Sequence, residues 1–284
     1  MKLGLELKSR LKLGSKNIAL ISIFAALLVI ISRLPGIPRV GGGGDIELTV
    51  ALTPIIGIVL GPWIGGLAAL IGNFLVWMIP KATVFGLVNL PLGPIAAIVS
   101  GALARNGRVA NWKLAATLLG FLNALWYLTT PGLELFYYPF LHWAAFMLVL
   151  LFRERVTEFL KTGTKRVMAF GTGLCCYAGI MANHMAGNLI YIVSIGWFVS
   201  LQAIRGALRS VGLFWGNLLY SLGFVSSPEK WVTTGLKLPQ DPLAQLFYVS
   251  IPAYVIERLA ITAIATYVGL GIIFALRRSG IIKF

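Results

Sequence analysis

Polar side chains set into apolar sequence are the residues that could do chemistry in this chain. The segment Ala182–Asn188 reads ANHMAGN and offers Asn183, His184 and Asn188. His184 and Asn188 are four apart, so they share one helix face. Such a face can bind a small polar ligand, or it can pair helices around a close crossing at Gly187. Glu257 and Arg258 are adjacent in the last apolar stretch. On a helix, Glu257 shares a face with Ala253, Ile261 and Ile264, and Arg258 shares one with Tyr254, Thr262 and Ala265. At membrane depth such residues are expensive and mark either ligand sites or interhelical pairs. Asn73 and Trp77, again four apart, set an aromatic ring beside an amide, which suits a flat polar ligand; Trp77 equally fits an interfacial aromatic belt. Asn89, within ATVFGLVNLPLGP, counts with them as a candidate ligand contact. Asp45 and Glu47 follow the run Gly41–Gly44. Glu47 suits the positive end of a helix dipole, while Asp45 is open to ligand contact or to the same capping role. Glu134, Tyr137 and Tyr138 read as anchors at an outer helix start.

Several chemistries are excluded by pattern. No GxxxxGK[ST], HExxH or GxSxG occurs, and the four glycines lack the following lysine and helix of a phosphate loop. His142 and His184 are far apart in sequence and have no carboxylates at ligand spacing, so neither a metal site nor a cofactor is expected. Cys175 and Cys176 are adjacent, which is neither CxxC nor a metal spacing. An enzyme is not expected.

The elements that must carry these residues are membrane helices. Of 284 residues, 58% are hydrophobic and 12% charged, with a mean hydropathy of +0.87. Apolar runs recur between short charged or Pro/Gly segments, the pattern of a polytopic helical membrane protein. Lipid leaves no partner for backbone polar groups, so the spans are helices or a closed barrel, and these runs do not alternate as barrel strands do. The formal charge of +15 sits at the ends of apolar runs, the positive-inside pattern, which argues against nucleic acid as the partner.

The fold class is therefore all-α, with about eight transmembrane helices (six to ten) and both termini cytoplasmic, in one integral membrane domain over 1–284. Residues 1–16 form a basic cytoplasmic segment, retained rather than cleaved. Helix 1 is expected over Asn17–Ser32, and 33–46 is a flexible extracytoplasmic glycine loop. Helix 2 follows over Glu47–Leu60 and helix 3 over Trp63–Ile79. Helix 4 begins irregularly around two prolines and ends at Arg105. Residues 114–152 read as an outward–inward hairpin, and 153–166 as a basic cytoplasmic loop with a short surface helix. Val167–Phe224 holds two or three crossings, 226–247 is a polar loop, and the last helix spans Tyr248–Leu276. That start puts Glu257 and Arg258 on the order of 12 Å from the helix's outer end.

The order of these features resembles a known family. NIALISIFAALLVIISRLPGIP, then an outer loop, then LTPIIGIVLGPWIGGLAALIGNFLVWM, is similar to the N-terminal half of the substrate-binding S subunits of energy-coupling factor (ECF) transporters. The closing ERLAITAIATYVGLGIIFALRRSG looks like a family C-terminal helix. The resemblance covers about the first hundred and the last thirty residues. The chain exceeds the usual six helices, and the excess falls around Leu114–Phe224. The resemblance implies a vitamin- or micronutrient-capturing subunit in the cell membrane, partnered by a transmembrane coupling subunit and two ATPases. It implies that the small pair Ser22 and Ala26 on helix 1 docks the coupling subunit and that the loop after helix 1 gates the ligand. It also implies that Gly61, Pro62 and Gly65 form the turn between helices 2 and 3, and that Asn73 is the polar residue of helix 3. A self-standing secondary transporter, a membrane enzyme using His184 or Glu257, and a structural membrane protein are the alternatives.

Overall fold

The computed structural model of the protein describes residues 14–38, 45–79, 82–107, 111–198, 200–223, 226–227 and 241–281. The glycine run, residues 1–13 of the N-terminal basic segment and most of the expected polar loop lie outside the described residues. The described chain is helical: α1 (Ser15–Ile31), α2 (Thr49–Leu60), α3 (Pro62–Met78), α4 (Val84–Val88), α5 (Leu92–Leu103), α6 (Trp112–Trp126), α7 (Thr130–Glu134), α8 (Phe140–Phe152), α9 (Arg155–Lys161), α10 (Lys165–Ser194), α11 (Leu201–Ser221) and α12 (Pro242–Arg278). A small antiparallel pair, β1 (Ile37–Pro38) with β2 (Asp45–Ile46), departs from the all-helical expectation; Ile37 opposes Ile46 and Pro38 opposes Asp45. It joins the two ends of the segment that carries the four glycines.

Among the described residues, Val84–Leu103 (counted through the turn after α4) and Pro242–Arg278 are long and apolar enough to cross a bilayer by length and composition. Four shorter apolar helices are Ser15–Ile31, Thr49–Leu60, Pro62–Met78 and Phe140–Phe152.

The shortest of these, α2, is the centre of the bundle. It is buried from Thr49 to Val59 apart from half-buried Val50, and packs against α3, α5, α10 and α12. Small residues make that possible. A Cβ on Gly57 would meet the Ala97 carbonyl oxygen of α5, one on Gly101 would lie 2.7 Å from the Pro62 nitrogen, and one on Gly65 2.9 Å from Gly57 Cα. Between α2 and α3 the chain turns at Gly61, whose φ of 81° only glycine adopts readily, and Pro62 starts α3 where its missing N–H costs nothing. Pro54 lies inside α2 and cannot donate to the Val50 carbonyl; Thr53 Oγ1 donates to that oxygen instead, at 3.3 Å.

Side-chain contacts mark the two ends of the bundle. At one, Lys16 Nζ donates to Ile281 O at 2.5 Å, Arg105 Nη2 to Val59 O at 3.0 Å, and Arg277 Nη1 and Nη2 to Leu160 O and Lys161 O, each at 2.9 Å. Burial lowers the Arg105 pKa below its ordinary value. At the other end, Arg33 Nη2 donates to Ile79 O at 2.6 Å, and Glu134 Oε1 accepts from Asp241 N at 3.3 Å.

The apolar interior is in two parts. The larger draws on α1, α2, α5, α8, the N-terminal part of α10 and the C-terminal part of α12, with Leu28, Ile55, Ile56, Leu103 and Ile180 fully buried. The smaller lies toward the Glu134–Asp241 end and contains Trp126, Leu135, Tyr138, Met185, Ile204, Phe247 and Tyr254. Leu122 and Leu141 pack against both.

Several expected boundaries move. Residues 242–247 of the expected polar loop are helical, because Asp241 caps α12 through a 3.0 Å bond from Ala244 N and Pro242 occupies the first helical turn. The short helix expected within the basic segment 153–166 is α9, and its Val156 and Leu160 are fully buried where it packs against α10. The irregular lead-in to helix 4 is a real break: α4 ends at Val88 and α5 restarts at Leu92, across the turn holding Pro91.

Candidate functional site

Polar residues gather between the two apolar cores, where α6, α8, α10 and α12 meet. Tyr138 is their hub, although only 1% exposed. Its ring stacks on Trp126 of α6 at 4.6 Å and lies 4.9 Å from the Tyr254 ring of α12. Its hydroxyl accepts from Asn188 Nδ2 of α10 at 3.2 Å, and its carbonyl accepts from the Tyr254 hydroxyl at 2.7 Å. One turn along α8, His142 stacks on His184 of α10 with centroids 5.2 Å apart, and His142 Nε2 lies 3.1 Å from His184 Nδ1. One of these nitrogens donates and the other accepts, according to the tautomers. Tyr254 also approaches His184, at 5.3 Å. A turn further along α12, Glu257 and Arg258 are about nine-tenths buried and paired, Oε2 to Nη2, at 3.6 Å. Arg258 is within Coulombic range of both Tyr138 and His142.

The arrangement follows from local sequence. His184 and Asn188 on α10, and Tyr254 and Arg258 on α12, are each four apart, so each of these helices contributes one polar stripe, while Tyr138 stands in the turn that leads into α8 and His142 in its first turn. The stripes meet because α10 and α12 are antiparallel, with Tyr191 beside Phe247 at one level and Gly173 beside Thr266 at another.

Of the sequence candidates, His184, Asn188, Glu257 and Arg258 come together here. Asn183, also on α10, is buried. Because α12 starts at Pro242, Glu257 and Arg258 are about 22 Å from its beginning rather than 12 Å. Asn73, Trp77 and Asn89 form a separate group that holds the break between α3 and α5. Asn73 Nδ2 donates to Leu90 O at 3.4 Å, Trp77 Nε1 to Thr83 O at 2.8 Å and Asn89 Nδ2 to Phe85 O at 2.9 Å. Asp45 pairs through its backbone in β2, and Glu47 Oε2 accepts from Thr49 Oγ1 at 3.0 Å beside the start of α2. Ser22 and Ala26 lie exposed on α1.

Two readings are corrected. Tyr138 is not an interface anchor but the buried hub, and Glu134 accepts the Asp241 backbone N–H at the start of α12. The two histidines, remote in sequence, are stacked neighbours; even so, no three His, Cys, Asp or Glu side chains gather in metal-binding proximity among the described residues. Sequence reasoning passed over Asn123, Trp126 and Tyr254 as site residues. Asn123 had a usable signal, as a lone amide in LLGFLNALW. It is fully buried, and neither its Oδ1 nor its Nδ2 has a hydrogen-bond partner among the described residues; the same holds for His142 Nδ1. Each such orphan costs about 1–3 kcal/mol.

An apolar cavity of about 140 Å³ lies elsewhere, between α1, α2 and α12, lined by Ile31, Leu34, Leu52, Ile55, Ile264 and Val268 among others.

The family model described as ECF-type riboflavin transporter, S component, matches residues 12–152. An uncharacterized protein of Methanocaldococcus jannaschii is 31% identical over 155 residues, which is 54% of this chain and 51% of that protein. The chain thus spans about half the length of this curated relative. No solved structure matches. The matched segment runs from α1 through α8, so the resemblance expected for the last thirty residues falls outside it, and the addition to the family segment is α9–α12 rather than 114–224. Of the polar cluster, Asn123, Trp126, Tyr138 and His142 stand inside the match, and His184, Asn188, Tyr254, Glu257 and Arg258 outside it. Through residues 12–152 the chain belongs to the S components of ECF-type transporters.

Proposed function

We propose that the protein is the membrane-embedded capture subunit of an ECF transporter, taking a vitamin or similar micronutrient from outside the cell and working with a coupling subunit and two ATPases. The observation that carries this reading is the family match, which includes six apolar helices or helix pairs in order: α1, α2, α3, α4–α5, α6 and α8. The chain lies in the plasma membrane and crosses it eight times, with α10 and α12 as the seventh and eighth crossings. The Lys16–Ile281 contact supports termini on one side. That end also carries Arg105, Arg153, Arg155, Lys161, Lys165, Arg166, Arg277 and Arg278, so it is the cytoplasmic one. The end of α10 and the start of α12 share the opposite side, and the sequence between Gly223 and Asp241 is too polar to return across lipid. Helix α11 therefore lies on the outer face.

The capture site is the polar layer, with Asn183, His184, Asn188, Glu257 and Arg258 contacting substrate and Asp45 near its outer mouth. Asn73, Trp77 and Asn89 shape the broken helix beside it. The loop 33–46 closes over the site. The exposed face of α1 bearing Ser22 and Ala26, extended by Ser15 and Ala19, docks the coupling subunit. The sequence carries no phosphate-loop motif, which supports a separate ATPase as the energy source.

Riboflavin is the first compound to try, since the matched family carries its name. The test is mass spectrometry of small molecules released from purified protein, with co-purification of an ATPase pair from the native membrane. Uptake into liposomes by this chain alone, driven by an ion gradient, would sink the reading.

A further inference from the structure

Helices α6 and α8 run antiparallel, and two contacts fix their register. Trp126 stacks on Tyr138 at 4.6 Å, and a Cβ on Gly120 would lie 3.1 Å from the Phe146 ring. Asn123 is midway between Gly120 and Trp126, and His142 is midway between Tyr138 and Phe146, so the two stand at one depth. Both are fully buried. Asn123 Oδ1, Asn123 Nδ2 and His142 Nδ1 have no hydrogen-bond partner among the described residues. Buried polar atoms are ordinarily partnered, and a bilayer interior offers no bulk water to serve them.

From this we infer that Asn123 and His142 bind one neutral group of the captured molecule, a group that carries a donor and an acceptor side by side, such as a lactam, carboxamide or hydroxyl. The inference rests on the capture reading above. A carboxamide presents one acceptor and one donor on a single edge, and a lactam edge answers both at once. An anionic group would leave Nδ2 satisfied and set a negative charge against Oδ1; a cation would do the reverse. The charges nearby are already balanced, since Arg258 and Glu257 pair at 3.6 Å. The other ring nitrogen of His142 is engaged by His184 at 3.1 Å, which leaves Nδ1 as its point of contact for the bound molecule. Recognition is thereby split: α6 and α8 of the family segment read the neutral edge, and α10 and α12 supply the remaining polar walls.

The test is titration of riboflavin, whose ring carries adjacent N–H and C=O groups, against the full chain in detergent, read by quenching of flavin fluorescence. Asn123→Leu and His142→Phe are each expected to weaken binding by about tenfold or more, the loss of one or two hydrogen bonds. Asn123→Leu should melt no lower than the parent, because it removes a buried amide without opening a hole. If Asn123→Leu and His142→Phe bind as tightly as the parent while His184→Ala binds weakly, the orphaned atoms hold only water: the inference fails and the capture site stands. If the parent binds no riboflavin and mass spectrometry finds no bound compound, the capture reading itself fails and the inference with it. A bound compound lacking any neutral donor–acceptor group also overturns the inference.

Discussion

Gly57 of α2 and Ala97 of α5 approach so closely that a Cβ on the glycine would run into the Ala97 carbonyl oxygen. The neighbouring Ser100 uses the same closeness: its hydroxyl lies 2.9 Å from Pro54 O across the helix pair and 2.8 Å from Ala96 O in its own helix. The obstacle to a larger residue is backbone, which cannot swing aside as a side chain can. Gly57→Ala is therefore expected to cost at least about 2–3 kcal/mol, the upper range of overpacking. Ser100→Ala should cost about 1 kcal/mol, the net worth of one hydrogen bond. Thermal unfolding in detergent reads both, and a Gly57→Ala protein that melts with the parent would show that α2 and α5 are not in this register.

Arg277 fastens the end of α12 to the end of α9. Its guanidinium reaches three carbonyls, those of Leu160 at 2.9 Å, Lys161 at 2.9 Å and Thr162 at 3.3 Å. Removing it orphans the terminal carbonyls of a seven-residue helix too short to persist alone. Arg277→Ala should raise amide hydrogen exchange across 155–161 by about tenfold or more while the rest of the bundle keeps its protection, since opening α9 would then cost about 1–3 kcal/mol less. Arg277→Lys should restore only part of it, because an ammonium cannot span the three acceptors as a planar fork does. Unchanged exchange in the alanine variant would mean that burial of Val156 and Leu160 holds α9 by itself.

How far the sequence is legible depends on how local the determining interaction is. The expected bounds of helices 1 to 3 lie within two residues of α1, α2 and α3, because glycine and proline at 61, 62 and 80 of the sequence are local punctuation. α12 starts six residues before the expected Tyr248, because Pro242 has the character of a loop residue and becomes a helix start only with Asp241 as its cap. In the polar layer, spacing alone yields His184 with Asn188. It cannot yield His142, which meets His184 across 42 residues, or Tyr138, which meets Asn188 across 50. Two tyrosines beside a proline look like an interfacial anchor, and only the packing of α12 over them makes Tyr138 interior. Asn73, Trp77 and Asn89 attract notice as polar residues in lipid, yet Asn73 donates to Leu90 O in the turn between α4 and α5, Trp77 to Thr83 O at the start of α4 and Asn89 to Phe85 O within it, partners visible only once this segment has a geometry.

The outer face of α1 gives a prediction about assembly. Ser22 and Ala26 are exposed, while Ile21, Phe24, Ala25 and Leu28 on the opposite side are buried. Enlarging the exposed pair leaves the bundle's own packing untouched. Ser22→Trp and Ala26→Leu should each prevent co-purification of the coupling subunit and its ATPases, while the melting temperature and small-molecule binding of the isolated chain stay at parental values. Retained co-purification with both substitutions present would remove this face from the interface.

Ile37 opposes Ile46 and Pro38 opposes Asp45, so the chain ends that flank residues 39–44 are held together by an antiparallel pair. Deleting two of Gly41–Gly44 leaves four residues between Pro38 and Asp45, still within the span of an ordinary hairpin connection. The pair and the start of α2 should therefore survive, and the melting temperature should fall little. What changes is the range of backbone conformations open to the segment, which glycine widens more than any other residue. If 33–46 is a lid, the shortened loop should slow association of the captured molecule several-fold in stopped-flow measurements, because closure would have fewer conformations through which to proceed. Association and dissociation both at parental rates in a folded deletion variant would show that the glycines serve the connection alone and that substrate reaches the polar layer by another route.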